Sequence, residues 1–247
     1  MKKLNSNHLK LIAIIAMTID HIADLLYPGM PNIITSNVMH VIGRLTAPIM
    51  FFFICEGYFY TKDIKKYITR LFIFAFISHF AYCFAFGINF IPFTGGSIFN
   101  QTSIMWPLAL SVVALHILHG RNNLKEYQKW LLIILINILA FPGDFSSITV
   151  MAILFMYDRR DNFKSQMISM MLWLSLYALI SFLFVSKTYG IIELSSILVI
   201  PLLYNYNSKR GKAKWLKWFF YLYYPLHLLI VGLLRIYMYG NIPLLFS

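Results

Sequence analysis

Apolar residues dominate this chain in long runs, and short polar connections separate the runs. A membrane-crossing helix needs about 20 such residues to span roughly 30 Å of hydrocarbon. No internal repeat or soluble segment interrupts the series. We therefore predict an all-α polytopic bundle that forms a single membrane-embedded domain over residues 1–247. About nine transmembrane helices are expected, at 8–27, 38–60, 67–87, 101–119, 129–142, 145–158, 164–186, 189–206 and 215–239.

Composition and charge placement agree with a membrane protein. Sixty per cent of the residues are hydrophobic and 12% are charged, whereas soluble domains carry about 25% charged residues. The net charge is +12, and eighteen of the 21 Lys and Arg lie in alternate flanking segments, at 2–10, 62–70, 121–129, 159–164 and 209–217. This positive-inside pattern predicts a cytoplasmic N-terminus, an external C-terminus and an odd number of spans in a bacterial plasma membrane. The charge thus serves topology and contact with anionic lipids, and it does not indicate nucleic-acid binding.

The first run contains ionisable residues well inside its apolar stretch. Asp20, His21 and Asp24 lie near one end, and Lys10 lies near the other. Charged groups at membrane depth cost several kcal/mol unless they face a partner or a wet cavity, so they mark candidate functional sites. Residues three or four apart share a helix face, which favours Asp24 as the partner that orients His21. Asp20 then faces another helix.

The second run supplies a partner for Asp20. Arg44 lies at about the same depth as Asp20, and Glu56 lies roughly 18 Å further along the helix at 1.5 Å per residue. We predict an Arg44–Asp20 pair between the first two spans. Such a pair either locks two helices together or also positions a catalytic histidine, and the sequence leaves both interpretations open.

The last run contains a proline followed closely by a histidine. Pro225 frees a backbone carbonyl, which membrane helices tolerate where neighbours or water satisfy it. His227, Tyr223 and Tyr224 surround this point and indicate either the wall of a cavity or a packing histidine.

The remaining histidines and cysteines do not suggest metal chemistry. His116 and His119 occupy a helix end without a carboxylate at ligand spacing, so interfacial packing is the better interpretation. Cys55 and Cys83 both fall within predicted spans and form neither a disulfide framework nor a metal site. We expect no bound metal.

Three segments resemble the TraX family, which is named for the protein that acetylates conjugative pilin. The segments are residues 9–22 with Asp-His, 41–78 with Gly-Arg-x-x-x-Pro and Glu-Gly, and 223–229 with Tyr-Tyr-Pro-Leu-His. They cover somewhat under half of the chain. The family in turn resembles multi-span acyltransferases, which often show a basic residue, ten residues and then a histidine in the first span. Lys10 and His21 reproduce that spacing.

The resemblance implies a membrane acetyltransferase that uses acetyl-CoA or another acyl-CoA as donor. The acceptor would be an amine or hydroxyl of a pilin-like peptide, a glycan or a lipid headgroup. Histidine suits the role of base because its pKa lies near operating pH. We assign the base to His21, its orientation to Asp20 or Asp24, and a structural or carbonyl-polarising role to Arg44. The other assignments are donor binding by Lys10, Glu56 and His227, and acceptor binding by Asp24 and Tyr224.

Two other functions fit the same residues. A small transporter or flippase could use the charged residues and the proline-broken helix as a substrate path gated by histidine protonation. The chain lacks repeated halves and a matched pair of broken helices, which weakens that interpretation. A non-catalytic assembly partner, in which Arg–Asp pairs only fix the bundle, is the second alternative.

Overall fold

The computed structural model describes residues 3–92, 94, 100–213 and 215–240, apart from the side chain of Lys217. Lys2, Lys214 and the tail 241–247, which contribute to the predicted topology, lie outside the described residues. Helices are the regular secondary structure of the described residues. They form α1 (Ser6–Leu26), α2 (Ile34–Gly43), α3 (Thr46–Tyr60), α4 (Ile64–Phe86), α5 (Met105–His119), α6 (Glu126–Ala140), α7 (Ser146–Asp158), α8 (Phe163–Phe184), α9 (Lys187–Glu193), a 3₁₀ segment (Leu194–Val199), α10 (Ile200–Tyr204) and α11 (Leu216–Tyr239).

Each predicted span coincides with one helix or with a run of consecutive helices. In the described part of the chain, five stretches are long and apolar enough to cross a membrane: Ile34–Tyr60, Ile64–Phe86, Phe163–Phe184, Lys187–Tyr204 and Trp218–Tyr239. Met105–His119 and Ser146–Asp158 are apolar but shorter, and α1 is less apolar because it contains the ionisable residues described above. The all-helical membrane class is therefore confirmed. The count of nine spans and the orientation of the termini stay predictions.

Two predicted spans are broken into shorter helices. The second breaks at Arg44 and Leu45, four residues before Pro48, because a proline cannot donate to the carbonyl of residue i−4 and clashes with it. The eighth changes to a 3₁₀ segment immediately after Glu193, and Pro201 follows in α10. Both breaks place a charged residue, Arg44 or Glu193, where the helical path changes.

Helix α5 lies at the centre of the bundle. Its residues Leu108, Ala109, Val112 and Leu115 are fully buried, and α5 contacts α3, α4, α6 and α7. Helix α11 packs along both α4 and α1. The approach to α4 is close, since a β-carbon added at Gly232 would overlap the ring of Phe84. This packing brings the last helix against the first.

Candidate functional site

Asp20 joins α1 to α2. Its Oδ1 atom accepts a hydrogen bond of 2.8 Å from Nδ1 of His40. Arg44 Nη2 lies 3.2 Å from the same oxygen and 3.4 Å from Oδ2. The contact predicted between Asp20 and Arg44 is therefore present, and His40 is a partner that the sequence analysis did not identify.

Arg44 also connects this pair to α9. Its Nη1 atom donates a hydrogen bond of 2.7 Å to Oε1 of Glu193, whose side chain is 2% exposed. The guanidinium carbon lies 5.3 Å from the centre of the Tyr189 ring. Arg44 thus binds two carboxylates from two different helices, which ties α1, α2 and α9 together at one depth.

His21 pairs with His227 of α11. Nδ1 of His21 lies 2.7 Å from Nε2 of His227, and Nδ1 of His227 lies 3.0 Å from the carbonyl oxygen of Tyr223. A carbonyl only accepts, so Nδ1 of a neutral His227 carries the proton and its Nε2 accepts from His21. Neutral His21 then has its proton on Nδ1, and its Nε2 has a free lone pair.

The geometry adds a partner of His21 that the sequence analysis did not assign to it, and the orienting role of Asp20 or Asp24 stays a prediction. His227 forms the hydrogen bond to His21 because α11 packs against α1. In addition, the ring of Phe86 meets His21 edge-on at 5.6 Å between centroids. His227 therefore contacts the proposed base directly.

Asp24 and Asp144 add negative charge on the same side of the bundle. Each side chain of Asp20, His21 and Asp24 has one potential metal-ligand atom, and these three atoms lie within 4.8 Å of one another. Asp144, at the turn before α7, interacts electrostatically with Asp24 and Arg44. We call the four carboxylates the acid cluster, which consists of Asp20, Asp24, Asp144 and Glu193.

The acid cluster contains more carboxyl groups than cations. Among the described residues, Arg44 is the permanent cation that pairs with it, and no hydrogen bond to the Asp24 carboxylate is found there. Asp20, His21 and Asp24 are the group that could hold a metal ion. However, Arg44 binds Asp20 and would repel a divalent ion at that distance.

A second feature, the basic cavity, lies beside the N-terminal half of α1. Its volume is about 600 Å³, and it extends from Ser6 and Lys10 to Met17 and Tyr224. Its charged lining residues are four cations and one acid: Lys10, Lys62, Arg70, Arg210 and Glu56. Lys10 lies over the ring of Phe53, 4.9 Å from its centre.

The basic cavity ends next to the histidine pair. The ring of Tyr224 meets that of His227 at 5.5 Å between centroids, and His21 follows Met17 by one turn of α1. Lys10 and Glu56, both assigned to donor binding, line this cavity together. Tyr224, assigned to the acceptor, also lines it and so lies between the cavity and His227.

His116 and His119 belong to neither the acid cluster nor the basic cavity. His119 forms an ion pair of 3.1 Å with Asp158, and the ring of His116 lies edge-on to Tyr58. His40 and Arg70 belong to the features described above but were not selected from the sequence. The four-residue spacing between His40 and Arg44 is a signal that could have identified His40, since such residues share a helix face.

The fold and the site define an integral membrane protein of the helical class, with a histidine pair between a basic cavity and an acid cluster. The chain belongs to the TraX family: the family described as TraX protein matches residues 5–235. The chain is also 30% identical over 229 residues to the probable fimbrial assembly protein FimC, serogroup H1, of Dichelobacter nodosus, with 90% of this chain and 92% of that protein covered. No solved structure matches the chain.

Proposed function

We propose that this protein is an acyl-CoA-dependent acetyltransferase of the plasma membrane that acts on an amine of an extracytoplasmic protein. The observation that carries the proposal is the position of the His21–His227 pair, which lies between the basic cavity and the acid cluster. A base at such a junction can reach a donor from one side and an acceptor from the other.

The basic cavity is the proposed donor site. Its cations suit the phosphates of CoA, and its deeper wall, at Met17, Ile104 and Leu108, is apolar. From Lys10 to His21 the helix rises about 16 Å at 1.5 Å per residue. An extended pantetheine arm along that path would bring the thioester to the histidine pair while the nucleotide stays near the cytoplasm.

The acid cluster is the proposed acceptor site. An ammonium group would be attracted by its excess of carboxylates, and buried charges of this kind need a compensating partner. The comparisons support an acceptor in the cell envelope. The family takes its name from a protein that acetylates pilin, and FimC is described as a probable fimbrial assembly protein.

The proposed reaction uses residues that lie close together. The ammonium first loses a proton to Asp24, and the neutral amine attacks the carbonyl carbon of the thioester. Nε2 of His21 accepts the second proton from the nitrogen as the C–N bond forms. The C–S bond then breaks, the imidazolium protonates the departing thiolate, and the products are the amide and CoA.

His227 and Arg44 have supporting roles in this proposal. His227 accepts the Nδ1 proton of His21, which keeps Nε2 available as the base. Arg44 binds Asp20 and Glu193 with both terminal nitrogens, so we assign it to holding the acid cluster rather than to polarising the thioester carbonyl.

A transfer assay in detergent tests the proposal. The purified full-length chain is mixed with radiolabelled acetyl-CoA and a peptide whose N-terminus is free, and a peptide with a blocked N-terminus and no lysine serves as the control. Label on the free peptide alone, and its loss in His21→Ala of normal yield, is the expected result. No labelled product from any peptide, glycan or lipid amine, together with solute movement into liposomes, would instead favour the transporter.

A further inference from the structure

We propose that Arg70 of α4 is the residue that binds the phosphate groups of the donor in the basic cavity. This inference rests on the proposed donor role of that cavity and names its recognition element. The ligand chemistry is a phosphate ester or diphosphate, and the experiment below distinguishes a nucleotide source from a lipid headgroup.

Arg70 is a cation held by aromatic rings. Its guanidinium carbon lies 5.5 Å from the centre of the Tyr67 ring and 5.1 Å from that of Tyr221. Its Nε atom is buried and makes no hydrogen bond. No ion pair to Arg70 is found in the described ranges, and the acid of the cavity wall, Glu56, interacts with Tyr206 and Arg160. A guanidinium in this setting lacks an anion that its five donors could bind.

The rings that hold Arg70 are themselves fixed. Tyr67 is 8% exposed, and the end of its ring lies so close to Gly57 of α3 that a β-carbon there would contact the hydroxyl. Tyr221 stacks on Phe74 with 4.9 Å between ring centres. Arg70 is therefore held in position before any ligand binds, and such preorganisation lowers the entropic cost of binding.

Lys10 lines the same cavity and contacts the aromatic residue next to Tyr221. Its Nζ atom is 5.7 Å from the centre of the Phe220 ring, and Phe220 precedes Tyr221 in α11. The two cations thus flank neighbouring rings of one helix, and both line the cavity. A diphosphate between them would lie about 16 Å below His21 by the rise of α1.

The segment 205–213 completes the cavity at its rim. The backbone N–H of Leu4 donates a hydrogen bond of 3.0 Å to the carbonyl of Asn205, and the N–H of Asn207 donates one of 2.8 Å to the carbonyl of Leu4. Ser6 donates from its backbone N–H to the carbonyl of Lys209 and from its hydroxyl to the carbonyl of Arg210. These contacts fix the backbone of this segment, whose exposed Arg210 lines the basic cavity. Arg210 thus adds another positive charge to the cavity that contains Arg70.

Binding measurements on the full-length chain in detergent test this assignment. CoA and pantetheine are compared on the wild type, Arg70→Gln, Arg70→Lys and the control Arg121→Gln, which changes an exposed arginine outside the cavity. Because hydrogen bonds to charged groups are the strong ones, Arg70→Gln should weaken CoA binding by about tenfold or more. Pantetheine binding and the unliganded melting temperature should stay unchanged, and Arg70→Lys should bind CoA with intermediate affinity.

Wild-type affinity for CoA in Arg70→Gln would overturn the inference and leave the proposed function intact. A wild-type chain that binds no CoA would instead overturn the proposed function. A short-chain phosphatidylglycerol is tested in parallel. If Arg70→Gln weakens binding of this lipid but not of CoA, Arg70 binds a lipid phosphate and its donor role is wrong.

Discussion

Nδ1 of His21 lies 2.7 Å from Nε2 of His227, although the two residues are 206 positions apart in the chain. The carbonyl oxygen of Tyr223 accepts a hydrogen bond from Nδ1 of His227, so the proton of neutral His227 is on Nδ1. Tyr223 is itself held, because its hydroxyl lies 2.7 Å from Oγ1 of Thr18. The free lone pair on Nε2 of His21 therefore depends on side chains and backbone of the last helix.

Removing His21 should slow transfer more than removing His227. His21→Ala removes the proposed base and should lower the rate about 10²–10⁴-fold. His227→Ala leaves the base without its orienting partner and should lower the rate less. His227→Gln should recover part of the loss, because its amide oxygen can accept from Nδ1 of His21. Initial rates at saturating donor measure these effects.

His8, an exposed histidine at the start of α1, provides the control for the variants of His21 and His227. His8→Gln should transfer at the wild-type rate. If His227→Ala and His227→Gln lose the same amount of activity while both bind CoA normally, the orienting role of His227 is wrong.

Arg44→Gln should destabilise the bundle, because it leaves two carboxylates buried without their cation. Arg44 and Glu193 are 9% and 2% exposed at their side chains. Breaking a buried pair from one side costs about 3–5 kcal/mol. The free energy of unfolding in mixed micelles should fall accordingly, and Arg44→Gln with Glu193→Gln should be more stable than Arg44→Gln alone.

The matched control for this pair is a surface ion pair. Lys129 lies 2.7 Å from Glu126, which is 76% exposed, and such pairs contribute about 0–1 kcal/mol. Lys129→Gln should therefore have little effect. Equal stabilities of Arg44→Gln and Lys129→Gln would contradict the structural role of Arg44.

Gly43→Ala should disturb the acid cluster through a steric effect on Asp20. A β-carbon at position 43 would overlap the Asp20 carboxylate, and overpacking of this kind costs about 1–3 kcal/mol. The overlap involves the β-carbon of Asp20 as well as its carboxylate, so it disappears only when the whole side chain is removed. In a double-mutant cycle, Gly43→Ala should therefore lower the free energy of unfolding much less in an Asp20→Gly background. Additive effects would show that the two residues do not interact.

Asp24→Asn should weaken recognition of a cationic acceptor. The substitution removes one negative charge of the acid cluster and leaves the volume of the side chain unchanged. Close charges attract by about 1–4 kcal/mol at effective dielectric constants between water and a protein surface. The KM for an amine acceptor should thus rise about tenfold, and the transfer rate should also fall because the ammonium loses its proposed proton acceptor, whereas the Kd for CoA should not change. Asp161→Asn, at a residue 95% exposed, is the control. An unchanged KM would remove Asp24 from the acceptor site.

The pattern of apolar runs was enough to predict the class of the protein and its helical segments. Long apolar runs can satisfy their backbone hydrogen bonds in hydrocarbon only as helices or closed barrels, and their length selects helices. The depth of Asp20 and Arg44 within neighbouring runs was also enough to predict their contact, which the structure contains. Local pattern and rise per residue were sufficient for these conclusions.

Which helix faces meet depends on the packing of the whole bundle. Helical periodicity places His21 and Asp24 on one face, yet the packing of α11 against α1 provides His227 as the partner. In the same way, the breaks at Arg44 and Glu193 bring together two residues 149 positions apart. Periodicity specifies the direction of a side chain around its own helix, but the partner depends on how non-neighbouring helices pack, and a single sequence does not encode that packing in a local pattern.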